Sequence, residues 1–265
     1  MRAMTPRCRS TPMRPARAVV TLVVLGLLML AALPDGFARA GCSPRDFVIA
    51  LDAGHGPKIP GATSATGVAE YDYNLQLAGR VKDALAAAGF SRAFLVDPAG
   101  QSLPPADRAK RANAAKAGLL LSIHHDSVQP QFLESWIVQG RKQRYCDQFA
   151  GYSVFYSGRN DKAAASLALA RLIGGELQAA GLSFTRHHAA DIPGERRPLV
   201  DDTVGVYRYD GLAVLHAANM PAVLLEAGVI VHRAEEAELS GAARQQTTAT
   251  AVAKAVTAWC ADRKP

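Results

Sequence analysis

Apolar positions along the chain fall into short runs, separated by longer segments whose apolar residues recur at helical spacing. Residues 47–53 (FVIALDA) form the first run and read as a buried strand. Over residues 71–88, Leu75, Leu77, Ala78, Val81 and Leu85 keep a near-helical interval, and Gly89 is a natural stop. Residues 93–96 give a second strand, and the alanine-rich, charged segment 106–116 a second helix. Gly118 leads into LLLSI at 119–123, a third strand, and residues 151–156 alternate like a fourth. A long helix is expected over 161–180, capped by Asn160 or Asp161 and ended by Gly181. Two more short strands are expected at 212–215 and 222–225, and a closing helix at 245–260.

This order predicts one α/β domain, a twisted, mostly parallel sheet of about six strands flanked by helices. Two polar stretches, 127–149 and 187–210, interrupt the alternation and read as irregular. Loops of that length in a compact domain are usually functional or disordered.

Composition changes the picture mainly at the N-terminus. The 265 residues carry a net charge of +7, but five of those charges belong to residues 1–40, where six arginines face only Asp35. No basic stripe with interleaved aromatics remains, so no nucleic-acid partner is expected. The basic arm precedes an apolar run at 18–33 (AVVTLVVLGLLMLAAL), a break at Pro34–Gly36 and the small-x-small sequence ARA at 38–40. We read residues 1–40 as a signal peptide and 41–265 as the catalytic domain. The competing reading is an uncleaved anchor, although the run is shorter than the roughly 20 residues that span a bilayer. The mature form is expected to be exported, with no transmembrane helix. Three of the four cysteines then remain, in an oxidising compartment. Cys42 precedes the first strand and Cys260 closes the last helix, which places both at the sheet edge away from the chemistry. Cys42–Cys260 is the preferred bridge, with Cys146, expected near the same edge, as the competitor for either partner.

Ligands of open α/β sheets gather at the carboxyl ends of the strands. The first strand ends at Asp52 and His55, the third at His124, His125 and Asp126, and the last at Glu226, while Glu70 opens the helix that follows the first strand's loop. Two histidines and a glutamate form a recurring catalytic zinc set, and a further carboxylate such as Glu226, expected to stay ionised, can act as base. Each residue also has a purely structural reading: a loop hydrogen bonder, a surface histidine pair, a carboxylate favouring a helix N-terminus, or an arginine's ion-pair partner.

Four pieces, in order, carry a resemblance: IALDAGHG, GVAEYDYNLQLA, PADRAKRANAAKAGLLLSIHHD and NMPAVLLEAGVI. Over most of residues 47–258 the chain resembles the zinc-dependent N-acetylmuramoyl-L-alanine amidases of the Amidase_3 type. The resemblance implies one zinc per chain held by His55, Glu70 and His124, with Glu226 catalytic. It implies cleavage of the amide between the muramic acid lactyl group and L-alanine of peptidoglycan, by a monomer located in the periplasm or outside the cell. An activating protein is compatible with this. The rival readings are a zinc peptidase on stem peptides and a non-catalytic wall-binding module. The glycines around His55 would let it reach the metal without crowding. His124 is preferred over His125 by the family pattern, and strand alternation agrees that only one of the two faces inward. His125 reads as solvated, with a supporting place behind the metal ligands or contact with substrate as the other readings; His187, His188, Arg196 and Arg197 likewise read as solvated, with contact to the substrate's carboxylates as the other reading. The chain departs from the family in its long 127–149 and 187–210 stretches and in GVIVH after Glu226.

Overall fold

The protein is described by a computed structural model covering residues 42–262; the expected signal peptide lies outside the described residues. In chain order the strands are β1 (Ile49–Ala53), β2 (Ala93–Leu95), β3 (Leu119–Asp126), β4 (Glu134–Val138), β5 (Arg141–Tyr145), β6 (Ser153–Tyr156), β7 (Leu199–Asp201), β8 (Val206–Arg208) and β9 (Ala222–Val229). The helices are α1 (Glu70–Ala87), α2 (Pro105–Ala114), α3 (Ala163–Ala179), α4 (Ala213–His216), α5 (Arg233–Leu239) and α6 (Ala242–Asp262). Seven strands form one sheet in the order β2-β1-β3-β9-β6-β8-β7, and β4–β5 form a separate two-stranded ribbon. β2, β1, β3 and β9 are mutually parallel; β6 joins β9 antiparallel, β8 runs parallel to β6, and β7 closes the row antiparallel to β8.

Alternation along the central strands sorts side chains between two cores. Ile49 and Leu51 of β1, with Leu119, Leu121 and Ile123 of β3, pack against α1, α3 and α6. Ala50 and Leu120 point the other way, toward Ala109 and Ala112 of α2 and Val214 and Leu215 of α4. The sheet is therefore covered on both faces, as expected for one built mostly from parallel strands.

Three local expectations are corrected. Residues 212–215 do not form a strand. His216 N donates to Leu212 O in a helical turn, and the neighbours Val214 and Leu215 both bury on the α2 side. Four apolar residues carry no usable period, so the sequence could not separate the two forms. The 127–149 stretch holds the β4–β5 hairpin, and 187–210 holds β7 and β8, so the main sheet gains strands over the expected six. Cys42 and Cys260 are disulfide-bonded with Cα atoms 5.1 Å apart, and Cys146 is free and buried. Cys146 packs with Val128, Val229 and Val231, just beyond the carboxyl ends of β3 and β9, not at the edge of the bridge. Among the described residues no helix is long and apolar enough to cross a membrane.

Candidate active site

β1 ends at Asp52 and Ala53, and the chain turns at His55, whose φ of 67° places a non-glycine residue in the left-handed region. Such a conformation costs of order 1–3 kcal/mol unless its surroundings over-determine it. Here the buried Arg108 of α2 does so. Its Nη1 donates to Asp52 Oδ1 and to Ala53 O, both at 2.7 Å, its Nε donates to Leu103 O at 2.8 Å, and its Nη2 donates to His55 O. Asp52 also accepts from Ser122 Oγ at 2.7 Å. The strained turn thus sits on His55 itself. The glycines act differently from the expectation: a Cβ on Gly54 would overlap the His124 ring, and one on Gly61 (φ 80°) would meet the Glu70 carboxylate and the His55 ring.

Strand parity explains how the other candidate residues reach the site. His124 shares its parity on β3 with Leu120 and Ser122, so it turns toward the α2 face; Glu226, directly opposite it on β9, does the same. Glu70 is the first residue of α1 and is buried. Its Oε2 lies 3.1 Å from His55 Nε2 and its Oε1 lies 3.1 Å from His124 Nδ1. One donor atom from each of the three residues falls within 4.8 Å of the others. Burial opposes the charge on Glu70, but hydrogen bonds from His124 and His55 outweigh it and hold the carboxyl well below the usual carboxylate range. Two imidazoles and a carboxylate, packed where any added Cβ would intrude, fit a zinc ion with an open fourth position.

His125 is not solvated. With the opposite parity it is buried beneath α1, where its Nδ1 is 2.8 Å from Asn74 Oδ1 and its ring is 5.5 Å from that of Tyr73. Burial lowers its pKa to about 3, so the imidazole stays neutral. Asn74 in turn donates through Nδ2 to Glu70 Oε1 at 3.0 Å and to Gly54 O at 3.1 Å. His125 and Asn74 therefore orient Glu70, as outer partners of metal ligands commonly do. Asn74 escaped the sequence reading, although its place four residues after Glu70 puts it on the same helix face.

Glu226 lines one cavity of about 290 Å³ with His55, Glu70 and His124, and its Oε2 is buried with no hydrogen-bond partner. It was expected to remain ionised beside a cation. The protein environment alone works against that charge: burial, then Asp126 and Glu70, raise its carboxyl well above the usual range. On the other side of His55 and His124 a second, more apolar cavity of about 490 Å³ opens between Ile59, Leu103, Pro104 and Leu212.

The histidines of the 187–210 stretch are also not solvated. His187 and His188 are buried against Asp126, whereas Arg196 is exposed and bonds Asp191. The Arg197 guanidinium lies over the Tyr209 ring, 4.0 Å from its centre.

The chain is similar to the N-acetylmuramoyl-L-alanine amidase AmiC of Escherichia coli O6:H1, with 27% identity over 82% of this chain, but it spans only 54% of that protein. It is 25% identical to the N-acetylmuramoyl-L-alanine amidase Rv3717 of Mycobacterium tuberculosis, covering 90% of this chain and 98% of that one. The fold superposes on the catalytic domain of CwlV, an N-acetylmuramoyl-L-alanine amidase of Bacillus (Paenibacillus) polymyxa var. colistinus, with a TM-score of 0.61 and 26% identity; the match covers 80% of this chain and 97% of that chain. It also superposes on Ami1 of Mycobacterium smegmatis, with a TM-score of 0.65 at 19% identity over 84% of this chain and 100% of that chain. Residues 49–258, a span that makes up most of the chain and contains His55, Glu70, His124 and Glu226, match the family described as N-acetylmuramoyl-L-alanine amidase, and the chain belongs to this Amidase_3 family.

Proposed function

We propose that the protein is a zinc-dependent peptidoglycan amidase that hydrolyses the bond between the N-acetylmuramic acid lactyl group and L-alanine. The observation that carries this reading is the convergence of His55, Glu70 and His124 beside a carboxylate, Glu226, with an unpartnered oxygen in the same cavity. When bound, zinc supplies Lewis acidity and a water with a pKa near ~7.

The chain's own residues do the rest. His55, Glu70 and His124 hold the ion, and Arg108 and Asn74 fix the first two of them in place. Glu226 takes a proton from the attacking water and returns it to the departing alanine nitrogen. Its burial suits the second half of that cycle, because a carboxyl raised from its usual range holds the proton until the nitrogen takes it, and the positive charge of a bound ion would favour the ionised form that the first half needs. The apolar cavity beside His55 offers room for the uncharged parts of the substrate.

Glu226→Gln preserves shape and removes basicity. The variant is expected to retain the zinc content of the wild type and to lose turnover by ~10²-fold or more. Muropeptide digestion followed by product analysis checks this. Free lactyl groups mark the amidase and new peptide carboxyls mark the rival peptidase, while wild-type rates in the zinc-loaded variant would remove Glu226 from the mechanism.

A further inference from the structure

Asp126, His187 and His188 form a second cluster that the reaction above does not use. All three are buried. Asp126 Oδ2 lies 2.7 Å from His188 Nε2 and 3.3 Å from His187 Nε2, and the three donor atoms fall within 4.8 Å of one another. Donors about 2.0–2.2 Å from a tetrahedral zinc stand roughly 3.3 Å apart, so little movement is required.

Two features separate this cluster from an ordinary buried ion pair. First, His187 Nε2 is buried with no hydrogen-bond partner; Asp126 is near but not aligned with it. A buried polar atom left unmade is costly, and native structures rarely tolerate one without a reason. Second, the far nitrogen of each ring is already held. Thr185 Oγ1 is 2.8 Å from His187 Nδ1, and Glu195 Oε2 is 3.1 Å from His188 Nδ1. Metal-bound histidines characteristically give their second ring N–H to an oxygen, and these two oxygens stand where they could receive it, which would leave Nε2 of each ring to ligate once any proton on it is displaced.

We propose that Asp126, His187 and His188 bind a second divalent ion of the zinc class. Two imidazoles and a carboxylate favour zinc, cobalt(II) or nickel(II) over magnesium or calcium. Asp126 and Glu195 bring two negative charges to the site. Asp126 and His188 line the same 290 Å³ cavity as Glu226. The second ion would therefore place positive charge on the other wall of the cleft, and would tie the 187–195 segment to the end of β3.

The test is a metal count on the purified protein, stripped with chelator and titrated with zinc or cobalt(II). It is independent of whether the enzyme turns over. The wild type is expected to take two equivalents per chain, His55→Gln one, and His187→Gln one, with cobalt absorption in His55→Gln arising from the second site alone. Saturation of the wild type at one equivalent with none in His55→Gln overturns the proposal, as do two equivalents retained by His187→Gln. If His187→Gln loses its near-ultraviolet circular dichroism, anomalous scattering at the zinc edge from wild-type crystals decides. Density between Asp126, His187 and His188 supports the site, and density at His55, Glu70 and His124 alone refutes it.

Discussion

At the scale of single residues, the site depends on side chains that are missing as well as on those present. Gly54 has no Cβ because the His124 ring occupies that space. Gly54→Ala should push His124 off its position and weaken zinc binding on the order of 10–100-fold, the range seen when support for a ligand is lost. Zinc titration checks this against Gly79→Ala, which meets nothing within 4 Å and is expected to bind normally. The convergence of His55, Glu70, His124 and Glu226 was legible because the strand ends name them and parity selects among neighbours. Their support was less legible. Arg108 reaches Asp52 across 56 residues, and Asp126 meets His188 across 62, separations over which a single sequence carries no pairing signal. His125, His187 and His188 read as solvated because hydrophilic residue types suggest exposure, whereas each is buried with its own polar partner.

At the scale of elements, the strongly apolar strands β1, β3 and β9 and the periodic helices α1, α3 and α6 were readable, since their patterns are imposed by burial. The β4–β5 hairpin was not. Its strands, ESWIV and RKQRY, expose most of their residues, so no buried face imposes a pattern. Its turn hides as well: Gln139 and Gly140 both have positive φ, 50° and 74°, as a type I′ turn demands, but glutamine is not the residue that announces one. The hairpin is fastened from outside by Trp136 Nε1, which donates to Ala65 O at 2.8 Å, and by the Arg233 guanidinium, 3.9 Å from the Tyr145 ring centre. Because it forms no ladder with the main sheet, its opening should be a local event. Gln139→Asn puts a residue tolerant of the left-handed region at the turn. Proteolysis within 134–145 should slow, while the midpoint of global urea unfolding stays put. A shift of both together would mean that the hairpin unfolds only with the sheet.

At the scale of the whole molecule, the sheet separates two kinds of edge. The carboxyl ends of β1, β3 and β9 carry the candidate site, and the opposite edge carries the Cys42–Cys260 bridge, reinforced by the hydrogen bond from Cys42 N to Cys260 O at 3.0 Å. The bridge joins residues 218 positions apart, nearly the full described domain. In the chain-entropy account, closing so long a loop stabilises by about 5 kcal/mol. Cys42→Ser is expected to lower unfolding free energy by several kcal/mol in urea while zinc binding in the folded protein is unchanged; a stability equal to that of the oxidised wild type would contradict this. The same bridge determines how the domain bears tension. With Cα atoms 5.1 Å apart, Cys42 and Cys260 act as a single mechanical anchor. A pull between them loads one covalent bond and leaves β1 and α6 unstretched. A domain tugged from that corner would keep its cleft intact until the sulfur–sulfur link itself gave way.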